Sequence, residues 1–300
     1  MPGGYVHQAC AERACMVAGI TPVNMAALRM GAQGPDPLFL LGMFPLRPSS
    51  RPSKLAKALH TRRTGMFLCT LLQGAKDGNA AQRAYAMGFL THYAVDCAVH
   101  PYVYSMSYDT KGRYSSALHM GLERAWDTML WRAQGHKGTP LSMPCLCEAR
   151  GDWPDVARLL ESAVNTVFPE MQIKQEAILH AFSDTCRANR LTHSPLGGKY
   201  AVYWLLERVA FMPGMLTAQC CPPRPSRGDV LNREGRPWRA AAAPQQERKE
   251  TVEELWASGV RHAAKLLRAA ASYFDGELDE AALAKEIGDQ AMDTGAKSRP

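Results

Sequence analysis

The apolar stretch from Gly88 to Val103 constrains this chain more than any other feature. It carries His92, Asp96 and His100 at intervals of four. Residues four apart on an α-helix advance about 400°, so these three side chains share one face. Their Cβ atoms would lie about 6 Å apart, close enough to hold one metal ion or to bridge two through the carboxylate. Because a buried carboxylate needs a partner, we interpret the stripe as a metal site rather than as a helix whose polar residues only hydrogen-bond their neighbours.

A second helical segment, ALHMGLERAWDTMLWRA, repeats this polar spacing with His119, Glu123 and Asp127. Stripes of this kind on facing helices are how helical bundles build multinuclear metal sites. The sequence therefore predicts that the two helices face each other across a metal centre. His180 and Asp184 are also four apart, but the nearest further histidine, His193, lies in a predicted loop, so we interpret them as ordinary helix residues.

Helical periodicity dominates the remaining chain and predicts an all-α protein, since no run of alternating strand pattern, phosphate-binding glycine loop or fixed-period repeat is found. Pro101 is expected to end the helix that carries the first stripe. A polar, proline-rich loop is predicted from Pro45 to Pro52. The last long helix is predicted to start at Thr251, which forms a capping box with Glu254.

The chain is long enough for one large core, and its 300 residues are 46% hydrophobic. We predict a single multi-helix bundle domain over residues 1–274. Within it, residues 217–250 are rich in Pro, Arg and Gly and are expected to form an extended surface segment before the packed last helix. Residues 275–300 are expected to be a polar, frayed tail.

Charge and composition point to a soluble cytoplasmic protein. The formal net charge of +7 is scattered along the chain and suits an anionic substrate or surface only weakly. No window approaches the roughly 18 to 20 apolar residues of a transmembrane segment, and the first thirty residues lack the pattern of a signal peptide. Nine irregularly spaced cysteines, several inside apolar helical segments, favour a reducing compartment.

Three further residues are candidate ligands outside the two stripes. Asp36 lies between Pro35 and Pro37, which restrict the backbone and fix the direction of its side chain, although an Asp in a tight turn is the alternative. His7 lies near the start of the first helical segment, and His60 lies near a helical turn. Histidine and carboxylate together are ligand types suited to Zn²⁺.

Taken in order, these motifs resemble those of the zinc-dependent phospholipase C and S1/P1 nuclease superfamily of all-α hydrolases. The resemblance is carried by GAQGPDPLF, LHTRRTG, HYAVDCAVH, HMGLE and the late segment DVLNREGRPW. It covers roughly residues 5–260 and is closest to the intracellular phospholipase C-like branch. It implies the phospholipase C/P1 nuclease type of helical bundle.

The resemblance also implies a set of zinc ligands and one supporting residue. One zinc would be held by Asp36, His60, His92 and Asp96, a second by His100, His119 and Glu123, and a third by His7 with Asp96 as a bridge. Asp127 would accept a hydrogen bond from a ligating histidine. In secreted members an N-terminal Trp completes the third site, and this chain has no Trp before Trp126, so we expect two or three zinc ions.

The implied activity is metal-dependent phosphodiester hydrolysis of phospholipase C type. A zinc-activated hydroxide would attack a phospholipid or a soluble phosphodiester, with Asp96 and Asp36 as catalytic carboxylates and Asp36 as general base. Peripheral contact with an anionic membrane is expected, and nucleic acid is a less favoured substrate. Two alternatives stay open: an S1/P1-like nuclease, and a non-catalytic helical module that keeps the metal for its fold and binds partners.

Overall fold

Helices form most of the chain, as the periodicity predicts. The computed structural model describes residues 3–40, 52–225 and 228–300, and these ranges contain twelve α-helices and one two-stranded sheet. The all-α prediction is therefore confirmed. The α-helices are α1 (Gly4–Ala18), α2 (Met25–Gly31), α3 (Pro52–Thr61), α4 (Thr64–Lys76), α5 (Ala80–Ser105), α6 (Ser116–Ala133), α7 (Pro144–Glu148), α8 (Trp153–Val167), α9 (Gln175–Thr192), α10 (Gly198–Val209), α11 (Val252–Phe274) and α12 (Glu280–Ile287). Short 3-10 helices cover Asp36–Leu40, Arg150–Asp152 and Thr217–Gln219. The loop predicted over residues 45–52 lies outside the described residues up to the start of α3.

The helix α5 is buried along most of its length and contacts α2 and α11. A capping box formed by Asn79 and Gln82 starts it. The helix α2 approaches closely at Gly88, where an added Cβ would lie 2.1 Å from the carbonyl oxygen of Leu28. This close approach brings the turn after α2 onto the polar stripe of α5.

The helix α5 continues past Pro101 to Ser105, so the prediction that it ends at this proline is wrong. Proline removes one N–H from the helical ladder and crowds the preceding turn. Here Pro101 is itself buried, and the neighbouring Tyr102 and Val103 are at most 4% exposed. Burial of these side chains offsets the lost backbone hydrogen bond.

The helix α11 packs against the body of the protein, as predicted. Thr251 and Glu254 form the expected capping box at its start. Its buried face, which includes Leu255, Val260 and Leu267, contacts α5 and α1. The apolar stripe of α11 therefore closes one side of the core around α5.

Residues 275–300 were expected to be frayed, and this expectation is wrong. They contain α12, and Leu283, Ile287 and Met292 are buried. The polar composition of the segment misled the prediction, because only a few widely spaced apolar residues anchor it. The division into a domain at 1–274 and a tail remains a prediction.

The described parts of the Pro/Arg-rich segment pack on the core. Strands β1 (Trp238–Arg239) and β2 (Glu247–Arg248) pair antiparallel within it. The ring of Trp238 contacts that of Tyr102 on α5 edge to face, with ring centroids 5.4 Å apart. Its indole N–H donates to the carbonyl of Glu250 over 3.2 Å. One buried aromatic side chain thus attaches this segment to α5.

The helix α10 differs from the other helices because it is largely exposed. Of its twelve residues, all within the described ranges, Glu207 is the one that is buried. Like the other helices of the described part of the chain, α10 is not long and apolar enough to cross a membrane.

Candidate metal centre

Eight buried side chains from five elements of the fold form the candidate metal centre. They are contributed by α1, the 3-10 helix at Asp36–Leu40, α3, α5 and α6, and each is at most 8% exposed. Their potential ligand atoms fall into three groups, in each of which all atoms lie within 4.8 Å of one another. The groups are His7, Asp36 and His92; His60, His92 and Asp96; and His100, His119 and Glu123.

Asp96 lies at the centre of these groups and faces four histidines. Its Oδ1 is 3.3 Å from His7 Nε2, and its Oδ2 is 3.1 Å from His92 Nε2, 3.4 Å from His100 Nδ1 and 3.8 Å from His60 Nε2. Within the described residues, neither oxygen makes a hydrogen bond of good geometry. A bound cation would offset the desolvation cost of a fully buried carboxylate in this state.

The turn after α2 places Asp36 opposite two of these histidines. Its Oδ1 lies 3.4 Å from His60 Nε2 and 4.0 Å from His92 Nε2. Gly34 allows this turn, because its φ of +52° favours glycine and an added Cβ would lie 2.4 Å from the His92 ring. The predicted fixed direction of Asp36 thus depends on Gly34 as well as on the flanking prolines.

The stripes on α5 and α6 face each other, as the spacing predicts. His119 Nε2 lies 2.8 Å from Glu123 Oε1, and His100 Nε2 lies 4.0 Å from the same oxygen. The rings of His100 and His119 have centroids 5.6 Å apart. Tyr104 and Tyr114 stack on each other beside His119, and Tyr114 is 48% exposed, so an aromatic wall borders this group.

Backbone carbonyls orient three of the imidazole rings. The Nδ1 atoms of His60, His92 and His100 donate to the carbonyls of Ala56, Ala32 and Met292 over 2.7, 3.1 and 2.6 Å. A carbonyl can only accept, so each Nδ1 carries the proton and each Nε2 presents a lone pair to the centre.

A side chain, that of Ser107, fixes the tautomer of His119 in the same way. Ser107 Oγ donates to the Val103 carbonyl over 2.6 Å, so it accepts from His119 Nδ1 at 3.2 Å. The Nε2 atoms of His92 and His100 have no hydrogen-bond partner among the described residues. Outer hydrogen bonds that fix imidazole tautomers with inward lone pairs are typical of metal-ligating histidines.

Electrostatics keep Asp96 and His7 in the forms that bind a cation. Burial alone would raise the pKa of Asp96, but the neighbouring His100, His92 and His7 outweigh it and hold the pKa well below its ordinary value. Burial, reinforced by His92, lowers the pKa of His7 to about 4. Asp96 is therefore ionised and His7 neutral near neutral pH, as metal coordination requires.

We expect the metal-free protein to lose stability between pH 7 and pH 5, partly through His7. Unfolded His7 takes up a proton below about pH 6.5, whereas folded His7 resists protonation down to about pH 4, so acid favours unfolding. For this group the difference amounts to about 2 kcal/mol at pH 5. Urea unfolding in chelator at both pH values, with His7→Gln beside the wild type, measures it. Equal losses in the two proteins would contradict the assignment.

Asp127 does not take the role implied by the resemblance. Its Oδ1 accepts from the backbone N–H of Val6 over 3.0 Å, and its Oδ2 accepts from Arg124 Nη1 over 3.3 Å. Burial raises its pKa to about 6 despite these donors. Asp127 thus holds the first turn of α1, and through that turn it fixes His7, instead of accepting from a ligating histidine.

The pair on α9 stays outside the centre, as interpreted from the sequence. His180 is exposed, and Asp184 is buried with Arg187 Nη1 3.7 Å from its Oδ1. Neither belongs to the three groups found in the described residues. Glu176, four residues before His180, lies outside these groups as well, so four-residue spacing alone is a weak signal of a metal site.

The residues that sequence reasoning missed act mainly through their backbone. The carbonyls of Ala32, Ala56 and Met292 orient histidines, and a carbonyl group has no sequence signature. Met292 also donates its N–H to the His60 carbonyl over 2.7 Å, so one residue contacts two candidate ligands. Ser107 was also missed, since it lies in a Tyr/Ser-rich loop without a ligand motif.

Comparison with known proteins agrees with this geometry. Neither the curated proteins nor the solved structures contain a match to the chain. A family model described as zinc dependent phospholipase C matches residues 6–188, a range that includes all eight residues of the centre. This match confirms the predicted family, while the wider link to S1/P1 nucleases remains a prediction. Because the match spans more than half of the 300 residues, the chain belongs to the zinc-dependent phospholipase C family.

Proposed function

We propose that this chain is a zinc-dependent phosphodiester hydrolase of phospholipase C type, acting on a phospholipid or a soluble phosphodiester. The observation that carries the proposal is Asp96. Both of its oxygens are buried without a hydrogen bond in the described residues, and they face imidazoles from α1, α3 and α5. Membership of the family supports the same chemistry.

The donor set fits zinc in number, type and charge. Five imidazoles and three carboxylates are borderline and hard ligands within the range that Zn²⁺ accepts. We assign one ion to Asp36, His60, His92 and Asp96, a second to His100, His119 and Glu123, and a third to His7 with Asp96 as the shared carboxylate. When bound, zinc would supply Lewis-acid stabilisation of phosphoryl oxygens and activation of the attacking water.

Asp36 is the proposed general base. Its Oδ1 accepts no hydrogen bond within the described residues, and its residue is 5% exposed, so it borders the centre without facing bulk water. We assign to Asp36 the proton of the attacking water, whose oxygen bonds to phosphorus while the P–O bond on the glycerol side breaks. The departing alkoxide oxygen takes a proton from water.

We also propose that the protein contacts a membrane and lies in the cytoplasm. Peripheral contact with an anionic membrane would present the lipid. A cytoplasmic location agrees with the nine irregularly spaced cysteines, several of which are buried inside helices. Half-buried Tyr104 and exposed Tyr114 stack on each other beside His119, and we place the headgroup of the substrate against these rings.

Metal content and substrate scope test the proposal together. We expect purified protein to contain two or three zinc equivalents by elemental analysis. Removal with chelator is expected to lower the unfolding midpoint by about 10 °C or more, since zinc binds the folded chain alone. The zinc form should release phosphocholine from phosphatidylcholine and hydrolyse p-nitrophenyl phosphocholine, and the chelated form should do neither.

The alternatives are distinct outcomes of the same measurements. Less than one equivalent of any transition metal would exclude the hydrolase. Full metal content without hydrolysis of any phosphodiester would favour the non-catalytic helical module. Cleavage of single-stranded DNA without cleavage of lipid would favour the nuclease over the phospholipase.

A further inference from the structure

An exposed apolar surface lies on α10 and the turn that follows it. Nineteen large apolar side chains are exposed in the described residues, and nine of them fall between positions 196 and 215. Leu205, Val209 and Phe211 are 58%, 71% and 91% exposed. Single exposed apolar residues are ordinary on a protein surface, whereas nine within twenty residues indicate an interaction site. We call residues 196–215 the α10 surface.

The α10 surface is held in place by one buried carboxylate. Glu207 is 3% exposed, and its oxygens accept from the backbone N–H groups of Gly214, Leu216 and Thr217 and from the Thr217 hydroxyl. These bonds fasten the end of α10 to the turn that carries Phe211. The apolar side chains are therefore presented by a fixed structure, which lowers the entropy cost of docking.

The distribution of apolar residues around α10 favours a lipid environment over a protein groove. Relative to Val202, Trp204 lies about 200° and Leu205 about 300° around the helix axis, and all three are exposed. A helix that is apolar on several faces is typical of burial in a large core or in a membrane, whereas the groove of a protein partner covers one face. The twelve residues of α10 span about 18 Å, which is too short to cross about 30 Å of hydrocarbon.

The charges of the α10 surface suit an anionic bilayer. Lys199 and Arg208 are exposed, and the sole acid between positions 196 and 215 is the inward-facing Glu207. The Arg208 guanidinium lies over the Trp204 ring, 4.1 Å from its centroid. Tryptophan prefers the headgroup level of a membrane, and arginine can extend from an apolar surface to lipid phosphates.

The α10 surface adjoins the helix that carries two residues of the candidate metal centre. Met212 and Met215 line an open cavity of about 340 Å³ together with Ser116 and Met120 of α6. Met120 directly follows His119 in sequence. Docking of the α10 surface would therefore bring the first turn of α6 close to the membrane.

We propose that the α10 surface docks on an anionic phospholipid bilayer and turns the His119 side of the metal centre toward the headgroups. The identity of the substrate rests on the proposed function. Docking itself is independent of hydrolysis, so the two are measured separately.

Vesicle sedimentation tests the docking. The zinc-loaded protein is mixed with vesicles of equal parts phosphatidylcholine and phosphatidylglycerol, and Leu205→Glu/Val209→Glu is compared with wild type and with Val23→Glu. Val23 is 90% exposed and lies outside the α10 surface, so it is a matched control. We expect the double variant to partition at least about tenfold more weakly and Val23→Glu to be unchanged, because the new charges oppose insertion. Pure phosphatidylcholine vesicles should bind the wild type less.

Hydrolysis and oligomeric state separate the remaining outcomes. The double variant should keep wild-type rates on soluble p-nitrophenyl phosphocholine and lose activity on vesicles. Equal sedimentation of the double variant and the wild type would overturn the docking. The docking would also be overturned if the wild type were a dimer, the double variant a monomer, and vesicle binding the same in both. The α10 surface would then bind a second copy of the chain. Sedimentation through the α10 surface without any hydrolysis would support docking and contradict the proposed function.

Discussion

Asp96→Asn is expected to abolish zinc binding at the centre and to lower phosphodiester hydrolysis by about a thousandfold or more. Asp96 is fully buried. Among the described residues, it is the one carboxylate that lies within 4 Å of all four histidines, His7, His60, His92 and His100. An amide offers one neutral oxygen in place of two charged ones. It cannot donate charge to two ions at once.

The thermodynamic signature of Asp96→Asn is as specific as the kinetic one. A ligand that binds only the folded chain stabilises it by about 4 kcal/mol at a thousand times its dissociation constant. We expect zinc to raise the unfolding midpoint of the wild type and to leave that of Asp96→Asn nearly unchanged. Differential scanning fluorimetry across a zinc titration measures both.

Asp184→Asn is the matched control for this prediction. Asp184 is also a fully buried aspartate on a helix, four residues after a histidine, but it lies beside Arg187 and outside the three ligand groups. This variant should keep the wild-type zinc content and zinc-dependent midpoint. If Asp96→Asn bound zinc as the wild type does, Asp96 would not be a shared ligand.

The site was largely predictable because helical geometry converts sequence spacing into position. His92, Asp96 and His100 share a face whatever surrounds the helix, and His119 and Glu123 share another. Two such stripes in a bundle have few ways to be buried except against each other. The all-α fold followed from the same periodicity.

Contacts between elements distant in sequence could not be predicted from helical spacing. Asp127 continues the α6 stripe by spacing, yet the start of α1 lies against it and takes its hydrogen bonds. Which element meets a stripe depends on the packing of the whole bundle. Pro101 shows the same limit, since burial around α5 overrides its local preference to end a helix.

We call residues 288–300 the C-terminal strap. Its ordered packing is the largest departure from the sequence prediction. The strap lies outside the range that matches the family, residues 6–188. Its Met292 accepts from His100 Nδ1 over 2.6 Å and donates to the His60 carbonyl over 2.7 Å. A segment outside the matched range thus orients the imidazole of His100 and binds the backbone of His60.

Deleting residues 289–300 is expected to weaken zinc binding at His100, His119 and Glu123 by about 10 to 100-fold, the usual effect of losing an outer hydrogen bond to a ligating histidine. The imidazoles of His60 and His92 keep their own carbonyl partners, so the group with Asp36 and Asp96 should retain its ion. Competition with a chromophoric chelator should show one equivalent weakened and the rest unchanged. The deletion also removes the buried Met292 side chain, which should cost about 2–5 kcal/mol in unfolding free energy.

Two point variants separate orientation of the ligands from loss of folding. Met292→Pro removes the N–H that binds the His60 carbonyl and so releases the residue whose own carbonyl accepts from His100 Nδ1. Met292→Leu keeps both backbone contacts and nearly the same volume. The proline variant should follow the deletion in its zinc titration, and the leucine variant should follow the wild type. Visible absorption of the cobalt-substituted proteins reports the coordination of each group, so a change confined to one group indicates a local effect. Uniform weakening of all ions in the deletion and proline variants would show instead that the strap contributes only to the stability of the fold.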